Sequence, residues 1–251
     1  MTTKIISITN QKGGVGKTTT SVNLAACLTE KKFKVLLIDL DPQGQAGEHL
    51  GILPQPNTVL DVLNSKKPIS ECIAKSYRKN LDVLQSNLNL GSFNQQNSST
   101  NQFILKKSLE EIKDKYDYII IDCQPSLSLL TLNALVACNY VILPVQAEYF
   151  ALDGLTQLIY TLKEIQKKLH PELKVLGILI TMFDRRNRLS LEVKNELFKN
   201  FEDELFQSVI ARNVKLAESP SFGQAIIDYD NSSNGADNYR NLTKEVIERT
   251  K

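Results

Sequence analysis

Eight consecutive residues, Lys12-Gly13-Gly14-Val15-Gly16-Lys17-Thr18-Thr19, carry the strongest chemical signal in the chain. Closely spaced glycines let a backbone fold tightly enough for successive N–H groups and the start of a following helix to converge on negative charge. In this pattern Lys17 reaches the β- and γ-phosphates of a nucleoside triphosphate, and the Thr18 hydroxyl is a ligand for Mg2+. Carboxylates complete the set. Asp39 and Asp41 leave one apolar run together, in Leu36-Leu37-Ile38-Asp39-Leu40-Asp41-Pro42-Gln43-Gly44, and spacing of two puts them on one side if the strand continues. Asp122 ends another run, Tyr118-Ile119-Ile120-Ile121-Asp122, a Walker B pattern whose acid holds Mg2+ directly or through water. Phosphoryl transfer asks a protein for positioning and charge stabilisation, so a carboxylate near the attacking water, Mg2+ and lysines suffice for slow turnover.

The surrounding pattern has to place these groups. Short β-branched runs at Ile5 to Thr9, Val35 to Asp39, Leu81 to Gln85, Tyr118 to Asp122, Tyr140 to Val145 and Val175 to Met182 alternate with helical patterns. The helical patterns lie at Thr18 to Lys31, Ser126 to Ala137, Leu152 to Lys168, Ser190 to Asn200 and Gly235 to Arg249. Alternation of this kind predicts an α/β fold with a central, mostly parallel sheet flanked by helices on both faces; with the chain length and the glycine loop, the reading is a single P-loop NTPase domain over residues 1–251. Continuously apolar strands ending in aspartate belong at the sheet centre, with their carboxyl ends open to a ligand. Ser86 to Gln102, rich in Asn, Gln and Ser, reads as an exposed, mobile loop. There is no internal repeat and no linker.

Composition narrows the classes. A net charge of +2 means that any nucleic-acid binding must come from a local patch. Cys27, Cys72, Cys123 and Cys138 form no C-x-x-C pair, and His49 and His170 are the only histidines, which argues against zinc and iron–sulfur sites. Cys123 and Cys138 in or beside apolar runs read as buried free thiols, favouring a reducing cytosol. The N-terminus lacks the pattern of a signal peptide, and no apolar run approaches the roughly 20 residues of a membrane span.

The glycine loop departs from the usual G-x-x-x-x-G-K-[ST] because Gln11 stands where the first glycine would be. Lys12-Gly13-Gly14-Val15-Gly16-Lys17-Thr18 instead resembles the deviant Walker A pattern of the family that includes ParA, MinD, the arsenite pump ATPase and the nitrogenase iron protein. The resemblance implies that Lys12 is a signature lysine reaching the nucleotide of a second subunit, so that ATP joins a sandwich homodimer. A solvated loop lysine is the alternative. Within that family the chain is most similar to ParA/Soj partition ATPases, with ATP and Mg2+ as implied cofactors. Asp39-Leu40-Asp41-Pro42-Gln43-Gly44 matches their D-x-D-P-Q-G switch, implying that Asp41 activates the attacking water and Asp39 supports the magnesium shell. Further matching segments are Ser126 to Leu135, Pro144 to Leu155, Thr181 to Arg186 and Ile210 to Asp230. Cys123-Gln124-Pro125-Ser126 departs from the family's Cys-Pro-Pro-Ser, and Ala211 stands where it commonly has proline. Met182 and the stretch containing Arg212 and Asn213 are expected to border the adenine.

ParA-type resemblance also implies ATP-dependent, non-specific binding of double-stranded DNA and release through hydrolysis stimulated by a ParB-like centromere-binding partner. The candidate DNA surface is Arg185, Arg186 and Arg188, with Lys194, Lys199, Arg212 and Lys215 as neighbours; interspersed acids leave a solvated surface as the alternative. Such a protein is expected to be cytoplasmic, nucleoid-associated when ATP-bound, and without an N-terminal DNA-binding extension. Three rivals share the nucleotide chemistry. A MinD-like membrane-cycling ATPase would need a basic amphipathic C-terminal helix, whereas residues 238–251 carry few bulky apolar residues and several acids, so no stable membrane association is expected. A metabolic synthetase or cluster-carrying reductase would not call for the DPQG and SPSFG segments or lacks its cysteines. A scaffold that never hydrolyses ATP is at odds with Lys12, Lys17, Asp41 and Asp122.

Overall fold

The computed structural model describes residues 2–95, 101–148 and 151–251. Seven strands, β1 (Lys4–Ile8), β2 (Val35–Leu40), β3 (Ile73–Lys75), β4 (Leu81–Leu84), β5 (Tyr118–Cys123), β6 (Tyr140–Gln146) and β7 (Lys174–Thr181), form one sheet in the order β3-β4-β2-β5-β1-β6-β7. Every pairing is parallel except β3 with β4. The helices are α1 (Lys17–Glu30), α2 (Gln45–His49), α3 (Val59–Leu63), α4 (Ile104–Glu110), α5 (Leu129–Ala137), α6 (Ala151–Lys168), α7 (Arg188–Phe201), α8 (Val214–Glu218), α9 (Ile226–Tyr229) and α10 (Asn234–Arg249).

Alternation along each strand explains why the apolar runs are continuous. Leu36 and Ile38 of β2, with Ile119 and Ile121 of β5, face a core built with α3, α4, α5, α6 and α7. Val35 and Leu37, with Tyr118 and Ile120, face a second core completed by α1 and α10, where Val22, Leu28, Tyr239, Leu242 and Val246 are buried. A strand covered on both faces must be apolar at both parities. Each aliphatic side chain fully buried in these cores contributes about 1.5–3 kcal/mol relative to exposure. The sheet is thereby rigid, and the loops at its carboxyl edge are free to carry chemistry.

The predicted α/β class, the two covered faces and the six parallel strands are all present. The short antiparallel edge strand β3 is an addition. The expected exposed loop at Ser86 to Gln102 is corrected in part: Leu88–Gln95 is a 3-10 helix that buries Leu90 and Phe93 completely. Residues three apart align on one side of a 3-10 helix, so these two enter the core together. Residues 96–100 of that segment lie outside the described residues.

Candidate active site

Between β1 and α1 the chain turns through Gly14 at φ 73° and Gly16 at φ 85°, the left-handed region that L side chains enter only with strain. Gly16 is also the N-cap of α1, so the helix starts with no side-chain cap and no acid in its first turn. Its first N–H groups remain open to an anion. Neighbouring strands pin the loop: the Thr181 hydroxyl donates to Val15 O at 2.8 Å, and Asn10 Nδ2 donates to Pro144 O at 2.7 Å.

Lys17, in the first turn of α1, is only 7% exposed, and its Nζ donates to Lys12 O at 2.9 Å. Burial lowers its pKa; the charges of Asp122, Cys123 and Asp41 oppose that shift. The result is a partly dehydrated ammonium with no direct carboxylate partner among the described residues, the kind of group that gains most from an incoming phosphate. Lys12 lies nearer the surface, where its ammonium is paired with Glu148 and half exposed.

Asp39 and Asp122 are fully buried register partners on β2 and β5. Asp39 holds the switch segment together by accepting Asp41 N at 2.9 Å on one oxygen and Ala46 N at 2.9 Å on the other. Burial, and then the charge of Asp122, push its pKa well above the ordinary carboxylate range; the two N–H groups pull it back. Asp122 Oδ1 accepts from Ser21 Oγ at 2.8 Å, and the Thr18 hydroxyl lies beside the same carboxylate. Burial raises the Asp122 pKa to about 6, opposed by the neighbouring hydroxyls of Thr18 and Ser21. Its Oδ2 is buried and has no hydrogen-bond partner among the described residues.

An orphaned carboxylate oxygen beside a threonine hydroxyl fits a hard divalent cation, which takes oxygen ligands and removes the penalty of the buried charge. Asp122 and Thr18 are thus the pair suited to Mg2+, whereas both Asp39 oxygens are engaged by the switch backbone. Asp41 is half-buried at the start of that switch; Gly44 N donates to its carbonyl at 2.9 Å, and its carboxylate accepts Gln43 N at 3.0 Å.

Beside Gly16 a cavity of about 390 Å3 is walled chiefly by Met182, Ile210, Ala211, Val214, Leu216 and Tyr239. Mostly apolar walls next to a phosphate loop suit a purine. Arg212 and Asn213 also line it, as does Thr19. The Asn213 side-chain oxygen, however, is the N-cap of α8 and accepts Leu216 N. Sequence reasoning missed Tyr239, which arrives from α10 and sets its hydroxyl 3.3 Å from Thr20 Oγ1. It also missed Ser21 and Thr181, whose roles depend on contacts made more than 100 residues away in sequence.

Both departures from the family pattern acquire partners. Gln124 Nε2 donates to Ser128, the N-cap of α5, and Ala211 N donates to Asn238 Oδ1 at 2.9 Å, a bond proline could not make. The expected DNA residues are less of a unit. Arg186 pairs with Asp184, Arg188 with Glu192, Lys199 with Glu196 and Lys215 with Glu218. Lys194 sits over the Phe183 ring at 5.4 Å. Arg185 has no ion pair among the described residues. The matching segment Pro144 to Leu155 includes residues 149 and 150, which lie outside the described residues.

A family model described as an AAA domain matches residues 3–175. The chain is 48% identical over 247 residues to the sporulation initiation inhibitor protein Soj of Bacillus subtilis, covering 97% of this chain and 98% of that one. It is 44% identical over 251 residues to the chromosome partitioning protein ParA of Myxococcus xanthus, covering 98% and 88% respectively. Among solved structures, the cobyrinic acid a,c-diamide synthase of Mycobacterium smegmatis with bound ADP and magnesium superposes with a TM-score of 0.79 at 33% identity, covering 93% of this chain and 97% of that one.

Proposed function

The chain belongs to the ParA/Soj family of chromosome-partitioning ATPases, and from that membership we propose that ATP and Mg2+ bind at the glycine loop and close two copies into a nucleotide-sandwiched homodimer. In that state the protein holds double-stranded DNA without sequence preference, in the cytoplasm and on the nucleoid. Hydrolysis, stimulated by a ParB-like partner, releases it. The observation that carries the ATPase reading is the convergence of buried Lys17, the open Oδ2 of Asp122 and the switch carboxylate Asp41 around one helix N-terminus.

Lys17 exchanges its bond to the Lys12 carbonyl for phosphate oxygens, and the open N–H groups of the loop take the rest of the chain. Mg2+ bound by Thr18 and Asp122 would neutralise phosphate charge. Asp41 orients the water that attacks the γ-phosphorus as the bond to the ADP oxygen breaks. Lys12 leaves Glu148 to reach the nucleotide of the second copy; the exposed ion pair holding it is weak enough to exchange. Loss of the γ-phosphate contacts then loosens the dimer.

A MinD-like membrane reading finds no support in α10, because Tyr239, Leu242 and Val246 of its apolar side are already buried against the sheet and α1. No helix among the described residues is long and apolar enough to cross a membrane. The synthase likeness covers 93% of this chain at 33% identity, lower than the 48% of the Soj relative. The deciding experiment is binding to arbitrary duplex DNA without nucleotide, with ADP, with ATP, and with ATP for Asp41→Ala, at two salt concentrations. Binding that requires ATP, weakens with salt and strengthens in Asp41→Ala is expected. Indifference to DNA in every state, with ATP still hydrolysed, would remove the partition reading and leave the ATPase.

A further inference from the structure

The opposite edge of the sheet, where the parallel strands begin, holds a separate cavity of about 360 Å3. The segments entering β2, β4 and β5, together with β3, bring five cations to its wall: Lys34, Lys75, Arg78, Lys79 and Lys115. Asp82 is the carboxylate on that wall; Lys75 pairs with it at 2.7 Å and the Tyr116 hydroxyl donates to the same oxygen. Arg78 is held by Asp228 and donates through Nε to Thr29 Oγ1 at 2.7 Å. Asp117, just outside, accepts the backbone N–H of Lys34 at 2.7 Å. The ammonium groups of Lys34, Lys79 and Lys115 form no ion pair among the described residues.

That distribution is the reverse of the one on α7, where most basic side chains are matched to an acid of the same helix. The turn entering β4 adds donors. Asn80 lies in the left-handed region at φ 69°, and the N–H groups of Lys79 and Asn80 donate to no backbone acceptor among the described residues. Consecutive open N–H groups at such a turn form an anion-binding concavity. Unmatched ammonium groups on one concave wall repel each other, and an anion seated among them converts that repulsion into attraction. A carboxylate has two oxygens to offer several donors; a phosphate has more acceptors and up to twice the charge.

We propose that this cavity is a second phosphate-binding site, remote from the glycine loop and independent of the nucleotide reading. Its ligand is a phosphorylated small molecule or a backbone phosphate of nucleic acid. The test begins with protein whose glycine loop is saturated with a non-hydrolysable ATP analogue and Mg2+, after removal of free metal. Inorganic pyrophosphate is then titrated calorimetrically into wild type, Lys79→Glu/Lys115→Glu, the milder Lys34→Gln/Lys115→Gln, and Lys199→Glu on α7 as a control. Binding by wild type and control, weakened about tenfold or more in both double variants, is expected. No pyrophosphate binding by wild type, or equal binding by folded double variants, would overturn the site; the analogue's own binding reports separately on the glycine loop. A parallel titration of duplex DNA over salt names the source. A shallower salt dependence in the double variants identifies a backbone phosphate, and an unchanged one identifies a free phosphorylated molecule.

Discussion

Asp39 and Asp122 face each other as register partners at the carboxyl ends of two adjacent parallel strands, both with no solvent exposure. Two buried carboxylates so placed are costly to ionise together, which is tolerable only where backbone donors and a cation share the charge. The N–H groups of Asp41 and Ala46 serve Asp39. Asp122 keeps one oxygen open.

Asp122→Asn is expected to raise the stability of the nucleotide-free protein at neutral pH by roughly 1–3 kcal/mol, while weakening magnesium-dependent nucleotide binding. The folded pKa of Asp122, about 6, lies above the ordinary 3.8, so the folded chain holds that proton more tightly than the unfolded one. The corresponding stability is complete below 3.8 and lost as pH rises through about 6. The advantage of the variant over wild type therefore shrinks on acidification through that window. Buried His49, lowered to about 4, acts in the opposite sense but equally in both proteins, so the difference in melting temperature reports on the Asp39–Asp122 pair. A pH-independent difference would contradict the assignment.

Lys12→Gln should leave ATP binding by the single copy nearly intact and abolish ATP-driven dimerisation, measured by sedimentation in an Asp41→Ala background. Glu148→Gln should shift the dimer equilibrium only a few-fold in favour of association, because a half-exposed ion pair is worth about 0–1 kcal/mol. Equal dimerisation by Lys12→Gln and its parent would return Lys12 to the status of a solvated loop residue.

Ala211→Pro would remove the N–H donated to Asn238 and is expected to cost about 1–2 kcal/mol in denaturant unfolding. Asn238→Ala should cost a similar amount, and the double variant little more than either, since both break one bond. Additive costs would mean that the two residues act separately.

Glu192→Gln combined with Glu196→Gln would free Arg188 and Lys199 from their own helix. If α7 faces DNA, affinity rises and the salt dependence steepens by about one to two counterions. Identical salt slopes would place the DNA surface elsewhere.

Much of the fold was legible because its signals are local. The runs around Ile38 and Ile121 needed only their continuous apolarity to be read as central strands, and the burial of both faces supplies the reason. The edge strand Ile73–Lys75 was not legible, being three residues long and only partly buried. Leu90 and Phe93 were masked by a polar neighbourhood, although their spacing of three matches the 3-10 helix that buries them. Thr58 and Asp61 form a capping box ahead of α3, a signal present in the sequence and overlooked.

By itself the sequence determined the phosphate loop, the acids Asp39, Asp41 and Asp122, and the alternation that sets them on one sheet edge, because each depends on residue type and spacing within a short segment. Only the tertiary structure decided that Asp39 lies beside Asp122, that Tyr239 lines the apolar cavity beside Gly16, that Lys12 rests on Glu148, and that three lysines with no ion pair among the described residues line the cavity at the far edge. Those relations join residues brought together by crossover connections, and the distance between two such residues is set by how the layers pack rather than by anything encoded next to either one.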